Sequence, residues 1–226
     1  MSRQSRLLVA RVKEVLWRNS PSGRSRARVI RAFAERLGFV YFGSVDKDEH
    51  QVRGLTVSTT HQDAHYAIGQ FDDYDVSLVD RLDVALDAKQ QPIRHDWLIF
   101  SVNLKHQHDL PHTFLNPKGH TAFQHLLSLD RTLQAVVPKP SWQSEFYLRY
   151  DVLARVEHMI EVESLLTPEL TRTLAAHFWP LAIELKDNQL YLYAAKQHAT
   201  AHLLDTMLKN SVWLAQTLDV ADSTAE

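Results

Sequence analysis

Hydrophobic and polar positions change period several times along this chain, and each change predicts an element. Phe146, Leu148, Tyr150 and Val152 alternate with Glu145, Tyr147, Arg149 and Asp151, the period of two that sends successive side chains to opposite faces of a strand. Thr167-Pro168-Glu169 reads as a helix start: a hydroxyl that caps free amides, then a proline at the first helical position. Leu166, Leu170, Leu174 and Phe178 recur around it at four-residue spacing. Two short apolar runs, Leu181–Leu185 and Leu190–Tyr193, flank Lys186-Asp187-Asn188-Gln189, where Asp and Asn tolerate the left-handed backbone of a tight hairpin turn. Leu204, Leu208, Ser211, Ala215 and Leu218 close the chain on an amphipathic helix.

Nearer the N-terminus, residues 4–18 carry Leu8, Val12, Val15 and Leu16 on one side of a predicted helix. Asn19-Ser20-Pro21-Ser22-Gly23 breaks it. A second helix from about Arg24 puts Val29, Ile30, Phe33 and Leu37 on a stripe and stops at Gly38. Strands are predicted at Phe39–Val45, Val52–Ser58, His65–Phe71, Asp75–Leu86 and Trp97–Leu104. In the longest of these, Val76, Leu78, Leu82, Val84 and Leu86 share one parity while Arg81 and Asp83 share the other. That alternation implies one wet face and favours an antiparallel sheet. Leu110–Pro117, bounded by prolines, reads as a sheet edge or a loop laid over the core, and His120–Leu129 as a short helix. The fold class is therefore α+β: a mainly antiparallel sheet covered on one face by helices, with two basic amphipathic helices at the N-terminus. Residues 1–23 form a basic helical arm, 24–220 a single α+β domain and 221–226 a frayed tail.

Charge sharpens that division. The 226 residues carry a net charge of −2, yet residues 1–37 hold ten Arg or Lys against Glu14 and Glu35, a net +8, and the remainder is −10. A hydrophobic content of 45% suits a globular chain with a sizeable core. Cysteine is absent, which excludes disulfides, thiolate metal sites and cysteine nucleophiles together. No run approaches the roughly 18–20 apolar residues of a membrane span, and no signal-peptide core is evident. These features lead to a cytoplasmic expectation, with the inner face of the membrane as the alternative address.

The order Leu110-Pro111-His112 with Phe114, then Phe146, Tyr150 and Val152, then Leu165 through Leu170, then Ile183-Glu184-Leu185 leading to Leu190–Tyr193, resembles an uncharacterised bacterial family. Its members often carry the domain after membrane-spanning segments. The similarity runs over about residues 28–219, with Arg28–Tyr41 resembling the family's junction between helix and first strand. It implies an α+β domain near a membrane face and brings no catalytic residue with it. This chain departs from the pattern in lacking spans.

Candidate chemistry is sparse. His106, His108 and His112, with Asp109 as an alternative ligand, are of the types that hold zinc. The run resembles the H-x-H-x-D-H motif of metallo-β-lactamases with altered spacing. His198 and His202 stand one helical turn apart, but Ala199 occupies the position where the H-E-x-x-H motif needs its glutamate. His61 and His65 have the same spacing. Nucleophile elbows and glycine-rich phosphate loops are missing, and six glycines leave little room for such cradles. No motif calls for a cofactor. Aromatic residues from Trp142 to Tyr193 form either a stacking platform or, as strand aromatics usually do, core. The leading expectation is a non-enzymatic binding module that meets a protein partner or an anionic membrane surface through Arg3, Arg6, Arg11, Arg18, Arg24, Arg28 and Arg31. The alternatives are a metal-dependent hydrolase built on the three histidines and a nucleic-acid-binding protein using residues 1–37.

Overall fold

In the computed structural model, residues 21–44, 52–58, 61–86, 92–105, 110–129 and 132–223 are described. The first basic helix predicted, residues 4–18, lies outside them. The second is α1 (Pro21–Leu37), which turns Ile30, Phe33 and Ala34 into the core and ends at Gly38 with φ +72°. It starts within the predicted break, because proline is favoured in a helix's first turn.

Nine antiparallel strands follow in one sheet: β1 (Val40–Ser44), β2 (Gln62–Phe71), β3 (Tyr74–Leu86), β4 (Pro92–Asn103), β5 (Thr113–Pro117), β6 (Gln134–Ala135), β7 (Tyr150–Ala154), β8 (Ala182–Lys186) and β9 (Gln189–Ala195). Their order is β1-β2-β3-β4-β9-β8-β5-β7-β6. The β8–β9 hairpin turns on Asp187 (φ +52°) and Asn188 (φ +58°), two left-handed residues in succession, as its sequence predicts. Asp72 and Asp73 do the same between β2 and β3. β5 is no edge: it pairs with β7 on one side and β8 on the other. The prolines that suggested an edge flank the strand or sit at its last position, where a missing N–H removes little from the ladder.

The remaining helices are α2 (Gln124–Leu129), α3 (Ser144–Arg149), α4 (Met159–Leu165), α5 (Pro168–His177) and α6 (Ala201–Ser223). Thr167 caps α5 as read from the sequence, its Oγ1 accepting from Leu170 N at 3.2 Å. The strand expected at Glu145–Val152 is corrected: it is α3 followed by β7. Phe146 and Tyr150, four residues apart, are both buried, while Leu148, whose parity suggested a strand, is 69% exposed. Glu145 and Arg149 pair at helical spacing on the outside. Likewise His198 precedes α6 and only His202 is helical, so the two share no helix face.

Directly opposed residues on neighbouring strands share a face. Val76, Leu78, Phe100, Leu192 and Ile183 thereby face α1, α6 and the α3–α5 region in one large core, where Phe33 meets Phe100 edge-on at 5.9 Å. Each such side chain, fully buried, contributes about 1.5–3 kcal/mol. The opposite face was expected to be wet, and this too is corrected. It carries Val79, Trp97, Ile99, Phe114, Tyr191 and Tyr193 as a second core under Val52, Phe123 and Leu126. Helices thus cover one face, and the 52–58 segment with α2 covers the other.

Tyr150 belongs to the large core and donates to Leu181 O at 3.1 Å. Burial pushes its pKa up, with the nearby Arg149 opposing. The folded value is raised, so the contribution to stability is complete below about pH 10 and lost as the pH climbs. The expected result is that Tyr150→Phe flattens the alkaline limb of the stability curve by about 1.4 kcal/mol per pH unit above pH 10. Urea titrations at successive pH values read that slope, and parallel limbs for the two proteins would refute it.

Candidate functional site

α1 positions the outward charges. Arg24, Arg28 and Arg31 follow one another at i, i+4 and i+7, one helical stripe, and all three are exposed. The opposite stripe is anchored by Ile30 and Phe33 and by Arg26, which sequence reasoning passed over as another surface cation. Arg26 is 8% exposed and grips Asp80 of β3 through Nε and Nη2 at 2.7 and 2.8 Å, while Nη1 donates to Gln197 O. Arg36 pairs with Asp205 of α6. Arg31 pairs with Glu35 at 2.8 Å and lies 5.9 Å from the Tyr41 ring centre. Of the seven arginines expected to meet an anionic partner, Arg3, Arg6, Arg11 and Arg18 lie outside the described residues. Arg24 and Arg28 remain with no partner among the described residues.

On the second core lies a polar network that the alternating pattern concealed. Arg81, 0% exposed, directs all five of its N–H donors to acceptors. Nε and Nη2 bind both oxygens of Asp63 at 2.7 Å, Nη2 also reaches Val52 O at 2.5 Å, and Nη1 reaches Thr56 Oγ1 at 2.9 Å and Arg53 O at 3.2 Å. Glu184, equally buried, accepts from Leu55 N at 2.7 Å, Tyr193 Oη at 2.5 Å and His112 Nε2 at 2.8 Å. Both charges hold the 52–58 segment, which is therefore a strap and not the predicted strand. Its backbone polar groups are matched by side chains of the sheet beneath, and Gly54 turns it with φ +81°. Burial, with Glu184 alongside, pushes the Tyr193 phenol well above its usual range.

His112 therefore stands beside a carboxylate, while His106 and His108 lie outside the described residues. Among the described residues no three His, Asp or Glu side chains gather as metal ligands. Of the aromatics, Trp142, Phe146, Tyr150 and Phe178 pack the large core, Tyr191 and Tyr193 the second, and Trp179 is 45% exposed. Among the described residues no helix is long and apolar enough to cross a membrane.

No protein-family model matches the sequence, and neither does any curated protein. The crystal structure of the mycobacterial trehalose monomycolate transport factor A, TtfA, is similar with a TM-score of 0.60 at 12% identity, covering 87% of this chain and 96% of that one. At that identity the likeness shows a shared fold.

Proposed function

We propose that the protein is a non-enzymatic interaction module that docks on an anionic membrane surface through α1 and the basic residues preceding it. The observation carrying this reading is the Arg24 and Arg28 pair, without a partner among the described residues, on a helix whose other side is clamped to β3 by Arg26 and Asp80. A rigid helix holding cations outward presents them without the ordering cost that a loose tail incurs on binding. The acidic remainder of the chain turns the basic end toward the surface by repulsion. That the fold is shared with a trehalose monomycolate transport factor supports a reading at a lipid-bearing surface. The buried ionisable groups also support a non-catalytic reading, since Arg81, Asp63 and Glu184 are committed to fixing the strap.

Co-sedimentation with vesicles containing anionic lipid tests the proposal. Each cation near such a surface contributes about 1 kcal/mol, so Arg24→Gln with Arg28→Gln weakens binding by roughly thirtyfold. Raised salt weakens it further. Equal partition onto neutral and anionic vesicles, or a double variant that binds as the parent does, would remove the reading; so would retention on duplex DNA without retention on vesicles.

A further inference from the structure

A cleft of about 370 Å³, none of whose lining residues belongs to α1, opens at the end of the sheet where the β8–β9 turn meets the start of β5 and the end of β7. It lies at the small end of the roughly 300–1,000 Å³ range of ligand pockets. One wall is fixed from beneath. His112, 9% exposed, is clamped by the buried Glu184 through Nε2, and its Nδ1 is buried without a partner among the described residues. The left-handed turn also lines the cleft and is held by Leu104 N donating to Asn188 O at 3.0 Å. There Asn188 Oδ1 is likewise buried and unpartnered. Two residues that line one small cleft thus carry orphaned polar atoms, a departure from the rule that buried polar groups find partners.

The same cleft is lined by Arg155 and Lys186, neither with an ion-pair partner among the described residues, and by His158, whose Nδ1 faces Glu161 at 2.7 Å. Asp187 supplies a single negative charge at the same place. Nε2 of His112 is engaged by Glu184, which leaves its Nδ1, like Asn188 Oδ1, for another polar group. Both call for polar partners such as hydroxyls, which donate or accept as needed, and the two cations call for an anion. We infer that the cleft binds a small hydroxylated oxyanion of the polyol-phosphate type, its anionic group between Arg155 and Lys186 and its hydroxyls on His112 Nδ1 and Asn188 Oδ1. Asp187 disfavours a second anionic group. The selection is thus for one phosphate carried on a polyol over a polyphosphate.

This site shares no residue with the outer face of α1, so the two readings stand or fall separately. Calorimetric titration of the full chain uses glycerol 3-phosphate, inorganic phosphate, glycerol and pyrophosphate as probes. The expected order is glycerol 3-phosphate first, then phosphate, with glycerol and pyrophosphate weakest. Arg155→Ala with Lys186→Ala lowers glycerol 3-phosphate affinity about tenfold or more. Asn188→Gly, which keeps the left-handed turn, removes the preference for glycerol 3-phosphate over phosphate. Vesicles bearing a glycerol-phosphate headgroup separate the sources: binding to them but not to the free ester, lost in the Arg155/Lys186 variant and kept in the Arg24/Arg28 variant, assigns the ligand to a lipid. Binding of neither form, or binding indifferent to both cleft variants, overturns the inference and leaves the cleft to water.

Discussion

Replacing Arg81 with alanine lowers the unfolding free energy by about 3–5 kcal/mol, the loss associated with leaving one member of a buried ion pair alone. Asp63, 7% exposed in the parent, would lose the guanidinium bonds to both of its carboxylate oxygens. Val52 O, Arg53 O and Thr56 Oγ1 would lose the guanidinium as well, so the strap is released together with the pair. Asp63→Ala is equally costly from the other side, because the cation is then uncompensated. Lysine does not substitute at position 81, for an ammonium has three donors on one atom and cannot reach five separated acceptors. A double variant, Arg81→Met with Asp63→Leu, removes both charges and keeps much of the volume, and it recovers most of the loss. Urea denaturation of the parent, Arg81→Met, Asp63→Leu and the double variant closes a double-mutant cycle. Single variants as stable as the parent, or a double variant worse than the sum of both, would contradict the assignment of Arg81 and Asp63 as a mutually compensating pair.

That pair also marks where the sequence stops being legible. The β8–β9 turn, the Thr167 cap and α6 were readable because the residues that determine them sit within a turn or two of one another. α3 was misread because Leu148 happens to fall in step with Phe146 and Tyr150, so a stretch of under two helical turns satisfied both periods until burial separated them. Arg81 and Asp83 looked solvated because charges alternating with apolar residues usually are. The environment of Arg81 depends on Asp63, Val52 and Thr56, none adjacent in the chain, and no local pattern announces a strap that crosses a sheet. The candidate sites divide in the same way. The exposed stripe Arg24, Arg28 and Arg31 follows from helical spacing alone, whereas the inward turn of Arg26 depends on Asp80, fifty-four residues on. The cleft depends on three chain segments meeting at His112, Arg155 and Lys186, which only the strand order β8-β5-β7 brings together.

Gly54→Ala is the sharper test of the strap because it adds one carbon and alters no charge. At φ +81° a side chain is already strained, by about 1–2 kcal/mol for an L-residue in the left-handed region. The added Cβ would also fall 2.2 Å from Tyr193 Oη and 2.9 Å from Glu184 Oε2. Neither atom can retreat: Tyr193 is wedged among Phe114 and Phe123, and Glu184 is held by His112 and Leu55 N. The backbone must therefore lift instead, which strips Leu55 N from Glu184 and wets a buried carboxylate. The cost rises no higher than the free energy of lifting the strap while the large core, on the other face of the sheet, stays packed. Two measurements distinguish local release from global loss. Trypsin cuts the variant faster at Arg53, an exposed residue inside the strap, and the global urea midpoint falls by less than it does for Arg81→Ala, whose Asp63, stripped of the guanidinium, stays with the sheet. Parent-like cleavage at Arg53 together with parent-like stability would mean that Gly54 does not lie against Tyr193, and the account of the second core as a strapped face would fall with it.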